Sequence, residues 1–455
     1  MNETRELARF ASETTYDDLP KDVVSKMKGY VLDNLGSGFV GAIQPWSKMV
    51  LDMSHRLGGK SEASVFGQAW KADVSRAALA NGAMIGAFEL EHIAYAAHPS
   101  GTVFPAALAM SEREHAIGQV FVTALAIGYE VNCRIGQAQT NATESERGFH
   151  NPSINGVFGA AAAVGNLLGF DERTMTNALG IAGSHAAGLT EFAWEGSMTK
   201  RLHLGRASQM GLESALLAAR GFTGPSTVLE GKYGYLHAFS PKPQTEKLTD
   251  GLGEQWFLRN IVIKPYGCHL SCQSLVQQLQ GHRKAGLIAP EQISRIMAKI
   301  NPHFAEGRFA NKSPNSILGA QYSIPFTVAL ALLRDMSEPS VYSEETLADQ
   351  RVWTLAGKVE VAADSRFDRF QYDAGGEIII EKKGQRPETL LVDEFKGSLR
   401  QPMDFEDVTE KFRRVTSKLI SPQKASKIIE IVSKLEGVQD TAEIARLISS
   451  RRPRH

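Results

Sequence analysis

The chain has 455 residues, 43% of them hydrophobic and 22% charged, which is globular usage and excludes a disordered chain. Lys plus Arg and Asp plus Glu both number 50, so no net charge draws the protein to nucleic acid or to an anionic membrane. A single hydrophobic core stops growing below this length, and two domains are expected.

The first residues, Met1 to Glu6, are polar and carry no apolar signal core. The three cysteines, Cys133, Cys268 and Cys272, make no disulfide framework, and a cytoplasmic location is expected. No run is long enough to span a membrane.

From about Glu3 to Phe222 the chain reads as consecutive helices. Apolar residues return at three- and four-residue steps in Val23–Leu32, and the pattern recurs in Ala77–Leu90, Ala106–Met110, Val120–Ile135, Val157–Leu168 and Met175–Leu189. Asp171 caps one helix, and Gly169 and Gly188 are expected to close others. Strand alternation is absent here. Beyond Ile261 the character changes. A helix at Ser271–Lys284 and another at Ser323–Arg334 sit among short β-branched runs at Ile293–Ile300, Lys358–Ala363, Glu377–Glu381 and Thr389–Phe395, an antiparallel or mixed sheet. The helical period returns from Phe405 to Ser450, before a basic tail at 451–455. The expected fold class is mainly α: a large helical domain built from both chain ends (1–262 and 399–455) with an inserted smaller α+β lid domain (263–398).

Two motifs tempt and fail. Gly36-Ser37-Gly38-Phe39-Val40-Gly41 spells the dinucleotide fingerprint, but that motif needs a preceding strand, and Val23–Leu35 is helical. Helix-packing glycines are the better account. Cys268-His269-x-x-Cys272 has no second ligand pair at zinc spacing, so no metal is expected, and no oxyanion motif accompanies Cys268 as a nucleophile.

Four polar clusters stand out against this apolar background. Glu89-Leu90-Glu91-His92 ends a predicted helix and leads to Ala97-His98-Pro99-Ser100-Gly101-Thr102. Gly148-Phe149-His150-Asn151-Pro152-Ser153 precedes another helix, where free amides and the dipole favour an anion. Thr199-Lys200-Arg201-Leu202-His203 opens a third, and Lys264-Pro265-Tyr266-Gly267-Cys268-His269 lies at the domain seam. Imidazoles and ammonium groups at loop-to-helix junctions suit a small substrate with several carboxylates and a proton moved beside one of them. On a helix, Glu89 and Glu91 fall on opposite sides, so one of them at most is expected in the site.

The order His-Pro-Ser-Gly (98–101), Gly-Phe-His (148–150) before Gly-Val-Phe-Gly-Ala-Ala-Ala-Ala (156–163), Lys-Arg-Leu-His-x-Gly-Arg-Ala (200–207), Gly-Phe-Thr-Gly-Pro (221–225) with Leu-Glu-Gly (229–231), and Lys-Pro-Tyr (264–266) resembles the MmgE/PrpD family. The resemblance runs from about Leu7 to Ile448 and is most specific between Lys200 and Tyr235. It implies the two-domain architecture above, a homodimer, and cofactor-free and metal-free chemistry on small polycarboxylates. Known activities in the family are 2-methylcitrate dehydratase, cis-aconitate decarboxylase and iminodisuccinate epimerase. The resemblance carries the catalytic positions onto His98, His150, Lys200 and His269. Lys264, Arg201, Tyr322 and the acid at Glu89 or Glu91 would bind substrate, with Phe326 the alternative to Tyr322. His98 and His150 would move protons, Lys200 and Lys264 would hold carboxylates, and His269 would protonate from the lid side. His92 stands where members often have a carboxylate, and His-Leu-Ser at 269–271 resembles the decarboxylase branch. The expected activity is a 2-methylcitrate dehydratase-like lyase; the alternatives are a decarboxylase, an epimerase, or a catalytically silent carboxylate-binding protein.

Overall fold

The computed structural model describes residues 2–287, 289–368 and 375–450; the basic tail lies outside them. The fold is mainly α. Helices Val74–Ile85, Pro99–Arg113, Gly118–Gln139, Asn151–Leu167 and Thr199–Ala218 pack against one another in the core. Small residues set their spacing. A Cβ at Gly205 would be built into the Leu79 carbonyl, so only glycine lets the helices Thr199–Ala218 and Val74–Ile85 approach so closely.

The fingerprint-like glycines are of the same kind. All three lie inside one helix, Lys21–Ala42, where a Cβ at Gly38 would enter the Phe66 ring and one at Gly41 the Met84 carbonyl. The predicted lack of strands here has one exception, a pairing of Ala63–Ser64 with Lys71–Ala72, too short for alternation to show.

Two predicted helices are shorter than expected. The run Ala77–Leu90 is helical only to Ile85, and Met175–Leu189 only from Glu172 to Gly183. Gly188 therefore closes no helix; its φ of 136° lies where side chains are rarely tolerated, and its carbonyl accepts from the His150 amide at 3.0 Å. Asp171 caps as expected, accepting from the Thr174 amide at 2.8 Å.

The second half holds a four-stranded mixed sheet in the order Val359–Ala363, Ile293–Ile300, Gly376–Lys382, Glu388–Val392, its first pair parallel and the other two antiparallel. Ile296, Ala298 and Ile300 alternate inward, as do Ile378 and Ile380. A register irregularity between Ile293 and Arg295 lets Ile293 point inward as well, out of phase with the rest. Helices Gln273–Lys284 and Ile324–Leu333 pack on each other and on this sheet.

One core contains residues from Leu7 to Ile263 and again from Val408 to Ile448; a second gathers residues from Cys268 to Leu390, with Phe88, Leu90 and Phe192 reaching in from the first half. The late helix Phe405–Thr416, opened by an Asp404–Asp407 capping box, lies against Lys21–Ala42. The two chain ends are thereby joined.

Candidate active site

A cavity of about 740 Å³ receives side chains from both halves of the chain. Glu89, His98, His150, Lys200, Lys264, His269 and Tyr322 all line it. Local structure explains how. His98 is the N-cap of Pro99–Arg113 and His150 that of Asn151–Leu167, each followed by a proline within two residues that fixes the first helical turn. Lys200 is the second residue of Thr199–Ala218. Lys264 follows a short bridge between Ile93 and Val262, which brings the seam against the loop at 86–98.

The acids behave differently from the expectation. Because the helix stops at Ile85, residues 89–92 are not helical, and Glu89 takes a left-handed φ of 57°. Both carboxylates then reach Lys264. Glu89 bridges Lys200, in close contact, and Lys264 at 3.2 Å, while Glu91 approaches Lys264 at 3.5 Å and His98 Nδ1 at 3.4 Å. The helical premise of that expectation fails, but its outcome stands: Glu89 lines the cavity, and Glu91 is buried behind it against Lys264 and His98. Burial pushes the Glu91 carboxyl up, but Lys264 and His98 together hold it below the usual carboxylate range.

The bases are pulled down. Burial, with the like charges of Lys264, Arg201 and Arg308, brings Lys200 well below the ordinary lysine value; the adjacent Glu89 carboxylate acts in the opposite sense. Burial also lowers His98, His150 and His269, opposed at His98 by Glu91 and reinforced at His150 by His203. Both N-cap imidazoles face the positive ends of helix dipoles, which likewise favours the neutral form. His269 accepts from the Ser271 amide at its Nδ1 (3.2 Å), so its neutral ring carries the proton on Nε2. Its ring lies among Phe304, Phe309 and Tyr322, with centroids 5.5, 4.9 and 4.6 Å away.

Some expected residues lie elsewhere. Arg201 turns away from the cavity: its guanidinium stacks 3.6 Å over the Trp46 ring and donates to the Ala87 carbonyl at 3.1 Å. Phe326 is buried beside Trp353, so of the two alternatives it is Tyr322 that lines the cavity. His92 is buried outside it, against Asp33 and Tyr129. Burial pushes the Cys268 thiol well up, an environment that suits no nucleophile.

Other residues went unpredicted. His203 packs its Nδ1 3.1 Å from that of His150, and burial takes it down to about 4. Arg308 lies 5.1 Å over the Tyr322 ring and 3.7 Å from Glu144, from a short turn, Gly307–Phe309, that no sequence period marks. His203 had a signal, its place one turn after Lys200 in the third cluster; Arg308 had none.

The arrangement gives three cations and several neutral imidazoles around one cavity, with Glu89 at its wall and Glu91 behind it balancing the lysines. Among the described residues, no group of three or more His, Cys, Asp or Glu is placed to hold a metal ion, and no helix is long and apolar enough to cross a membrane. Sequence comparison adds a family and its relatives. Residues 5–248 match the MmgE/PrpD N-terminal domain and residues 266–437 the MmgE/PrpD C-terminal domain. The chain is 30% identical to the cis-aconitate decarboxylase-like protein oryM of Aspergillus oryzae, covering 98% of this chain and 97% of that one. It is 29% identical to cis-aconitate decarboxylase of Aspergillus terreus (98% and 96%) and 29% identical to that of Homo sapiens (95% and 91%).

Proposed function

The chain belongs to the MmgE/PrpD family, and on that premise we propose that this lyase decarboxylates an unsaturated tricarboxylate of the cis-aconitate type. The observation that carries the reading is the meeting of Lys200, Lys264 and Arg308 with the neutral imidazoles of His98 and His150 around one cavity. The cations hold carboxylates, and an arriving polyanion raises the proton affinity of the imidazoles beside it. His98 then protonates the vinylic carbon, the double bond shifts by one position, and the carbon–carbon bond to the allylic carboxylate breaks. Its electron pair forms the new double bond and CO2 leaves. One proton is taken up, so a trianion becomes a dianion, and solvent restores the proton on His98. Loss of a charge is eased on an aromatic wall, which Phe304, Phe309 and Tyr322 provide. The names of the full-length relatives support the same reaction.

Dehydration of a 2-hydroxytricarboxylate is the second reading, favoured by the His98 and His150 rings, whose centroids lie 6.4 Å apart, as acid and base across one bond. Proton NMR in D2O with cis-aconitate, 2-methylcitrate and iminodisuccinate separates the readings. CO2 loss with one deuterium gained at the former vinylic carbon supports the first. Water loss supports the second, deuterium exchange with inversion an epimerase, and tight binding without turnover a silent binder. The protein is further proposed to divide into domains at 1–262 with 399–455 against 263–398 and to be cytoplasmic and a homodimer, the last of which light scattering tests.

A further inference from the structure

The buried Asp33, His92 and Lys411 side chains lie outside the cavity and take no part in the chemistry above. Lys411 Nζ donates to Asp33 Oδ1 at 2.6 Å and to the Leu90 carbonyl at 3.0 Å. Asp33 Oδ2 is 2.8 Å from His92 Nδ1, and His92 Nε2 is 3.0 Å from the Tyr129 hydroxyl. That hydroxyl accepts from Asn34 Nδ2 at 2.8 Å, and Asn34 Oδ1 accepts from Ser100 Oγ at 2.6 Å. One proton assignment satisfies every link: His92 carries its proton on Nδ1 and donates to Asp33, while Nε2 accepts from Tyr129. All six side chains are buried.

The two ends of this chain of bonds are informative. One end takes hold of residues 90 and 92, leaving Glu89 and Glu91 to face Lys200, Lys264 and His98. The other ends on Ser100, in the first turn of the helix that His98 caps. We propose that Lys411, through Asp33 and His92, is a positioning residue of the active site, holding Glu91 and His98 in register from a helix that never touches the cavity. A left-handed glutamate at position 89 is a conformation that its surroundings must hold, and the Leu90 carbonyl is where they do so.

The inference rests on the reading of the cavity as the active site, and its test keeps the two apart. Lys411→Met and the double variant Asp33→Asn/Lys411→Met are compared with wild type for melting temperature, cis-aconitate turnover, propane-1,2,3-tricarboxylate binding stoichiometry and amide exchange of residues 86–98. Removing both charges is expected to restore most of the melting temperature lost in the single variant. Turnover per binding site in the double variant stays down by about tenfold or more, because the Leu90 carbonyl still lacks its donor. Exchange at 86–98 is faster in both variants and unchanged elsewhere. Tyr129→Phe, a milder change, is expected to lower turnover severalfold at full binding stoichiometry. Recovery of turnover together with melting temperature, or unchanged exchange at 86–98, overturns the proposal. Absence of wild-type turnover counts against the decarboxylase reading alone, since the exchange measurement still decides the positioning role.

Discussion

Two buried clusters of ionisable groups meet at residues 89–92, and they differ in how fully their polar atoms are bonded. Around Asp33, His92 and Lys411 each link measures between 2.6 and 3.0 Å, and charge is balanced by one carboxylate and one ammonium. At the cavity, Nδ1 of His98 and both carboxylate oxygens of Glu91 just behind it make no aligned hydrogen bond within the protein. A fully satisfied network resists rearrangement; a partly satisfied one can trade its partners for those of a ligand. The same short loop serves both, with alternate residues assigned to rigidity and to reactivity.

The largest expected effect is on catalysis. Lys200→Ala should lower kcat/KM by on the order of 10³-fold while circular dichroism stays unchanged, since it removes a charge placed where the transition state needs one. The comparison itself is tested by a pair of variants. Lys411→Met should lose about 3–5 kcal/mol in urea unfolding, because it strands the buried Asp33 carboxylate. Glu91→Gln should cost clearly less, because Glu89 still lies beside Lys264, yet lose about 10²-fold in turnover. Equal destabilisation by the two would break the distinction.

A smaller effect appears with pH. His92, His98, His150 and His269 are all held below the ordinary histidine value, chiefly by burial. Below about pH 6.5 the unfolded chain binds protons that the folded chain refuses, so stability is full above that pH and is lost as pH falls through the folded values. The melting temperature should therefore drop on acidification. Bound propane-1,2,3-tricarboxylate should flatten the drop at the cavity histidines, and a drop unaffected by it would place the titration elsewhere. Least affected is Arg201→Lys, expected to leave kcat/KM within about twofold and to cost about 0.5–2 kcal/mol from lost stacking on Trp46.

Much of this site was legible from sequence because its histidines cap helices. A cap is a local feature, and His98 and His150 announce themselves by the prolines and small residues that follow. The acids were misread for the converse reason: the apolar period carried the predicted helix past Ile85, although Gly86, which caps it, was a local stop signal outweighed by that period. Tyr322 and Phe326 looked equivalent at a four-residue spacing, yet Ser323 ends one helix and caps the next, so they occupy different helices and face different neighbours. Arg308 and Lys411 come from distant segments, and only the fold brings them in. The helical class and the mixed sheet were legible throughout, since each rests on many residues keeping one period.

The tie between Lys411 and Leu90 spans 321 residues, and this has a bearing on how the protein is made. At ordinary rates of synthesis, on the order of 15–60 s pass between the emergence of the two partners from the ribosome. Throughout that interval Asp33 has no lysine, the groove on Lys21–Ala42 has no helix over it, and the loop bearing Glu89 and Glu91 has one anchor too few. The nascent chain can therefore collapse and bury its first helices long before it can act on anything. On the positioning role proposed for Lys411, full competence waits until the helix Phe405–Thr416 docks.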